Sequence, residues 1–231
     1  MPWLPATCLV LSAALAVSCT RRYWRRRRTS ELVWAGTFAA FGLAAGCETA
    51  GSVFGWTETL ARTYYLTGAT LSVGYLAVGT IYLLTPAPIA RAALLVVLVQ
   101  STAGALLVWR APIDTALLAT EGWAALQRRG DLVALAITVN ALGTLVVVGG
   151  ALGSAWLLWR GRAAARAASG IALIGVGTIV VALGGSLTRL GQRDLLYAAM
   201  APGLLLIFVG YHLAASRGTG GRTTVAAAVA G

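Results

Sequence analysis

Apolar runs of membrane length, each closed by a charge, a proline or a short polar stretch, organise this chain. Seven can be marked, at 3–20, 31–48, 62–85, 89–109, 132–159, 168–187 and 195–214. A helix of about 20 apolar residues crosses the hydrocarbon of a bilayer. The pattern predicts an all-α integral membrane protein, a seven-transmembrane-helix bundle over residues 1–215. The remainder, 216–231 (SRGTGGRTTVAAAVAG), is too small and flexible in composition to pack by itself and is expected to be a poorly ordered cytoplasmic tail. The first run, WLPATCLVLSAALAVSC, is short for a span. No positive charge precedes it and arginines come directly after it, so an uncleaved anchor is expected rather than a signal peptide.

The third run carries a written-in face. Tyr65, Gly68, Ser72, Tyr75, Gly79 and Tyr82 succeed one another at steps of three or four, which places them on one stripe of a helix. Small residues let helices approach closely in lipid, and tyrosines add bulk and hydroxyls. The stripe predicts that this helix is the central one. Pro86 and Pro88 end it sharply. The longest connection, 110–130, contains TALLATEGWAALQRR, which reads as a short amphipathic helix in the outer interface before helix 5. Asp114 is its expected N-cap, with Leu117, Trp123 and Leu126 turned to lipid or bundle. Gly55-Trp56…Arg62 and Gly122-Trp123…Arg128 form a weak repeat, each ahead of a helix that starts from the same side. In the seventh run Pro202-Gly203 is expected to kink the helix or open its backbone.

Charge sets the orientation. Only 11% of residues are charged, against about 25% in soluble domains. All 18 basic residues are arginine, and the net charge is +11. With seven spans, twelve arginines fall on the side that holds RRYWRRRR (21–28) and six on the other. Six of the seven acids lie on the arginine-poor side, and only Glu31 lies on the rich one. The positive-inside rule then puts the N-terminus outside and the C-terminus in the cytoplasm, in what is expected to be the plasma membrane of a prokaryote. Arg21, Arg22, Arg25, Arg26, Arg27 and Arg28 form a cytoplasmic loop that is expected to contact anionic lipids, with Tyr23 and Trp24 in the interfacial belt. The basic charge sits at helix ends, which argues against nucleic acid as a partner.

Candidate chemistry is sparse. Without lysine the chain cannot form a lysine Schiff base with retinal, and it lacks a lysine nucleophile. Cys8, Cys19 and Cys47 lack metal spacing, and the single histidine, His212, cannot make a zinc or bis-histidine haem site. No catalytic set, metal site or cofactor is evident, and a non-enzymatic protein is expected. Glu48 ends an apolar run with no nearby cation in sequence, so it is a candidate for the mouth of an outer-leaflet pocket, paired with Arg62 or Arg189. Tyr65, Tyr75, Gln100 and Asn140 are the other candidate ligand-binding residues; the two amides at membrane depth serve equally well as glue between helices. Three readings are open. The first is a protein that binds a small or lipophilic molecule, or that packs against a larger membrane complex as an accessory or sensor subunit. The second is a small-solute transporter, motivated by glycine-rich helices 5 and 6 and by Pro202. The third is a membrane enzyme. If there is a site, it is expected beside the outer half of helix 3.

Overall fold

The computed structural model describes residues 3–127, 130–160, 165–189 and 195–215. Among them the chain is helical throughout apart from its connections, and seven helices are long and apolar enough to cross a membrane. These are α1 (Trp3–Arg26), α2 (Thr29–Phe54), α3 (Glu58–Leu84), α4 (Ala87–Arg110), α5 (Gly130–Arg160), α6 (Ala165–Arg189) and α7 (Leu195–Ala215). The tail 216–231 and Arg128, Arg129, Arg162, Arg193, Asp194, Arg217 and Arg222 lie outside the described residues.

Most helices outrun their apolar stretches, because polar residues carry the hydrogen-bonded spiral beyond the hydrocarbon. The largest consequence is at 21–28. The expected arginine loop is a helix end: α1 continues through Arg26, and only Arg27 and Arg28 link it to α2. Arg27 turns the chain with φ 52°, the left-handed conformation that closes many helices, and its N–H returns to the Tyr23 carbonyl.

The helices close a ring. α1 packs on α2 and α7, α2 on α3, α3 on α5, α5 on α6 and α6 on α7. α4 stands outside the ring, against α3 and α5. Only 11% of its apolar window is buried, against 44% for α3, the most enclosed helix. α3 is therefore a ring member bordered by three spans rather than an axial post. Its stripe does not face one partner. Gly68 meets Ala44 and Gly79 meets Trp34, both on α2, whereas Tyr75 reaches Ser101 on α4. The stripe is also interrupted by a π-helical turn at Tyr65–Leu71. Each residue added to a helical turn rotates the rest of the helix by about 100° and leaves backbone groups to satisfy. The Thr70 hydroxyl donates to the Tyr65 carbonyl, Ser72 to Thr67, and Asn140 from α5 to Ala69 at 2.7 Å.

Glycines set the closest approaches. A Cβ on Gly177 of α6 would stand 2.6 Å from the Gly203 carbonyl of α7, and one on Gly170 would stand 2.7 Å from the Gly210 carbonyl. The two backbones touch, a spacing that only glycine permits. Pro202 lies within an unbroken α7, with its ring exposed. On α1 the buried residues Cys8, Ser12, Leu15 and Cys19 recur at three and four, a small-residue seam toward its neighbours. All three cysteines are free.

The connection before α5 is not the expected amphipathic helix. Gly122 takes φ 56°, which breaks it into a four-residue helix, Leu118–Glu121, and a 3-10 turn, Gly122–Ala125. Ile113 pairs with Leu126, and the Asp114 and Gln127 amides donate to Ala125 and Pro112. Residues 111–127 thus form a closed cap over one end of the bundle. Leu126 is buried beneath it and Leu117 stays exposed. The Asp114 carboxylate accepts from the Ala116 amide, fixing the turn it was expected to cap.

Candidate functional site

Beneath the cap, α1, α2, α3 and α7 converge on Glu48. It sits six residues from the end of α2 at Phe54, which places it about 9 Å inside that end at 1.5 Å per residue. The cap delivers Trp123, whose indole N–H donates to the Glu48 carboxyl. The other carboxyl oxygen, Oε2, is fully buried and has no hydrogen-bond partner among the described residues. A buried polar oxygen left unpaired costs about 1–3 kcal/mol, more when charged, so each such atom asks for an explanation.

The surroundings are aromatic. Tyr64 stacks on Trp123 with ring centroids 5.1 Å apart and planes 25° apart, and it meets Trp56 edge-on at 6.0 Å. Tyr65 lies tilted against the same Trp123 at 6.4 Å. The Tyr197 hydroxyl of α7 donates to that of Tyr64. Local sequence explains the seating of Trp56. Cβ atoms on Gly51 and Gly122 would come within 2.4 and 2.7 Å of its ring, so both positions require glycine. Gly55 and Gly122 each take a left-handed φ, and the tryptophan after each turns in to contact Tyr64. The weak glycine–tryptophan repeat therefore marks both aromatic walls of this site.

The five candidate residues do not converge. Glu48 is in the cluster just described, and Tyr65 borders it through Trp123 while packing with Val108, Ala111, Leu126 and Leu132. The Tyr75 hydroxyl donates to that of Ser101 on α4 at 3.1 Å, and Ser101 in turn donates to the Val97 carbonyl at 2.6 Å. Gln100, also on α4, has an Nε2 without a partner among the described residues. Asn140 donates from Nδ2 to Ala69 and Ala136, both at 2.7 Å, and so braces the π-turn. Arg62 does not pair with Glu48. Its Nη1 donates to the carbonyls of Val108, Trp109 and Ala111, closing the C-terminal end of α4, and its Nη2 lies 3.8 Å from Glu58. Arg189 ends α6, and its side chain lies outside the described residues.

A second polar cluster occupies the arginine end, where sequence reasoning expected contacts with anionic lipids and no internal ion pair. Its signal is Glu31, the lone acid beside six arginines, which is buried in the first turn of α2. Arg22 Nε lies 3.3 Å from its Oε1, and the Tyr211 hydroxyl of α7 donates to its Oε2 at 2.8 Å. The Arg22 guanidinium also covers the Tyr211 ring at 4.8 Å, and the Cys19 thiol bonds with Tyr211. One of the six arginines is thus an internal tie between α1, α2 and α7. Arg21, Arg25, Arg26, Arg27 and Arg28 remain exposed, with Arg27 over Trp24 at 4.7 Å. His212 packs against Phe208 at 4.3 Å and bonds to its carbonyl.

Two cavities accompany these clusters. A shallow one of about 220 Å³ lies at the cap end between α4 and α5, lined by Leu107, Arg110, Ala111, Asp131 and Leu132. The other, about 30 Å³, lies toward the arginine end among five of the ring helices, with Trp34, Phe38, Leu76, Ile207 and Tyr211 in its wall. Neither is lined by a candidate residue. No cluster of three or more metal-ligating side chains occurs among the described residues. No protein-family model, curated protein or solved structure matches the chain.

Proposed function

We propose that this multi-pass membrane protein is a non-catalytic binding module that receives a small molecule at Glu48 beneath the cap and serves a larger membrane complex as its sensing or accessory subunit. One observation carries the reading: Glu48 Oε2 is buried, unpartnered and walled by aromatic rings where four helices and the cap meet. A small molecule that satisfies this oxygen stabilises the bundle by linkage and engages the cap through Trp123. Connections of two or three residues between α1, α2, α3 and α4 leave little exposed surface there for work outside the bilayer. Signal output then falls to a partner in the membrane. The arginine distribution supports an external cap and a cytoplasmic arginine end in a prokaryotic plasma membrane, where the five free arginines meet anionic headgroups.

Solute transport is the alternative. Its motive weakens because Gly170 and Gly177 of α6 and Gly203 and Gly210 of α7 already serve close packing. Native mass spectrometry from mild detergent tests the choice. Wild-type protein is expected to carry a bound small molecule that Glu48→Gln loses while keeping its helical content by far-UV circular dichroism, with a melting temperature lowered by no more than the lost ligand accounts for. No retained mass in either protein, together with solute flux in liposomes, would overturn the binding reading in favour of transport.

A further inference from the structure

We propose that the cavity at the cap end between α4 and α5 holds the headgroup of a phosphatidylethanolamine, its phosphate on Arg110, its ammonium on Asp131 and its acyl chains along the two helices. The site is separate from Glu48, since Glu48, Trp56, Tyr64, Trp123 and Tyr197 line no part of it. Three observations lead to it. First, the cavity carries one cation and one anion that do not pair with each other. Arg110 makes no hydrogen bond or ion pair among the described residues. An arginine in the last turn of a helix ordinarily meets the open carbonyls there. In α4 that place is taken, because Arg62 donates to Val108, Trp109 and Ala111. The Arg110 guanidinium keeps its donors, in a fork that matches a phosphate by two parallel hydrogen bonds. Asp131 accepts the Leu132 amide at 2.8 Å, and a carboxylate has about four acceptor positions, so it also takes an ammonium. Second, the floor is fixed. Ala111 and Leu132 are 3% and 1% exposed and pack with Tyr65, Val108 and Leu126, and Arg62 holds the Ala111 carbonyl at 2.9 Å.

Third, position and size fit a lipid. Arg110 ends α4 beside Trp109, which is 56% exposed and marks the level of the headgroups, and Asp131 opens α5. Away from this end the adjoining α4 and α5 expose Val99, Leu106, Ile137 and Leu142, apolar surface for acyl chains. About 220 Å³ is less than the roughly 300–1,000 Å³ of a pocket that encloses a whole ligand, so the headgroup enters and the chains stay outside. The charges select among headgroups. Phosphatidylglycerol answers Arg110 but brings no cation to Asp131. Phosphatidylcholine has the cation but no N–H to donate.

The test uses the full chain in dodecyl maltoside with a photoactivatable phosphatidylethanolamine, and peptide mass spectrometry reads where it cross-links. A site-specific readout is needed because the exposed arginines at the other end are expected to hold anionic lipid of their own. Cross-links are expected around Leu107 and Leu132. Unlabelled phosphatidylethanolamine should suppress them about tenfold more effectively than phosphatidylcholine or phosphatidylglycerol with the same chains. Water-soluble glycerophosphoethanolamine should compete far more weakly; competition equal to that of the lipid would overturn the lipid and assign a free solute. Arg110→Gln should lower cross-linking about tenfold, and Asp131→Asn should abolish the preference over phosphatidylcholine, whereas Arg25→Gln and Glu48→Gln should change neither. Equal suppression by the three lipids, cross-links confined to other helices, or undiminished labelling of Arg110→Gln would each overturn the inference. The wild-type competition needs no variant, so misfolding of a variant cannot obscure it. Because Glu48→Gln is read here as a control and above as the test, the two proposals fail separately.

Discussion

Removing the Arg22 side-chain charge tests the tie at the arginine end. Glu31 is only 5% exposed, and its two oxygens are taken by Arg22 Nε and the Tyr211 hydroxyl. Stripping one partner from a buried pair costs about 3–5 kcal/mol, because the other charge stays buried. Arg22 keeps 23% of its side chain exposed, so water screens part of the attraction. Arg22→Met is therefore expected to cost about 2–3 kcal/mol. Glu31→Gln still accepts from Tyr211, and it frees Arg22 to reach headgroups or water. It loses the favourable carboxylate at the start of α2 and should cost only about 1 kcal/mol. The double variant should be more stable than Arg22→Met alone by about 1–2 kcal/mol, since no buried charge is left. Unfolding in mixed micelles of dodecyl sulfate and dodecyl maltoside, monitored by far-UV circular dichroism, gives these free energies. Equal single costs that simply add in the double variant would refute the tie and make both residues independent headgroup contacts.

Two further expectations concern packing and capping. Gly203→Ala pushes a methyl to 2.7 Å from Val181 Cγ2 and 2.9 Å from the Gly177 carbonyl and should cost about 1–3 kcal/mol, whereas Gly149→Ala, with nothing within 4 Å, should be neutral or stabilising by up to about 1 kcal/mol. The same unfolding titration reads both, and equal effects would show that α6 and α7 do not touch through glycine. Arg62→Ala removes the donor shared by three carbonyls at the end of α4 and should expose residues 111–127 to limited proteolysis while the spans stay intact, with a cost of about 1–3 kcal/mol. Unchanged cleavage kinetics would separate the cap from Arg62.

The range of each interaction decides how much of it is legible in the sequence. The seven spans are legible because hydrophobicity over about 20 residues is a local property. Their boundaries are not, because helices such as α1 run on through arginines that leave the hydrocarbon. Spacing places Tyr65, Gly68 and Tyr75 on one face but cannot foresee the π-turn that interrupts it, or that Gly68 meets α2 and Tyr75 meets α4. Glu48 is legible as an acid at the end of an apolar run. Its neighbours Trp123 and Tyr197 cannot be assembled with it from sequence, because they arrive from 75 and 149 residues away. The pairing of Arg22 with Glu31 is hidden for a different reason. Counted as topology signals, both look like surface charge, yet Glu31 is the one acid out of place, and that exception is the usable signal.

The two carboxylates also bear on what passes through the bundle. Glu48 and Glu31 sit at opposite ends of α2, 17 residues apart, which is about 25 Å along a helix. Between them lies the small cavity, whose wall is Trp34, Phe38, Leu76, Val147, Ile174 and Ile207 with Thr80, Thr178 and, at the arginine end, Tyr211. Those two threonines commit their hydroxyl protons within their own helices: Thr80 donates to the Leu76 carbonyl at 3.0 Å and Thr178 to Ile174 at 2.8 Å. Their methyl groups complete an apolar lining around about 30 Å³, enough for roughly one water and with few partners for it. The cavity between the two carboxylates is thus lined mainly by apolar side chains, while Asn140 and Gln100 place polar groups elsewhere in the bundle. A ligand at Glu48 would act on the arginine end by shifting helices, with α1, α2 and α7, which contribute to both clusters, as the members placed to carry that shift.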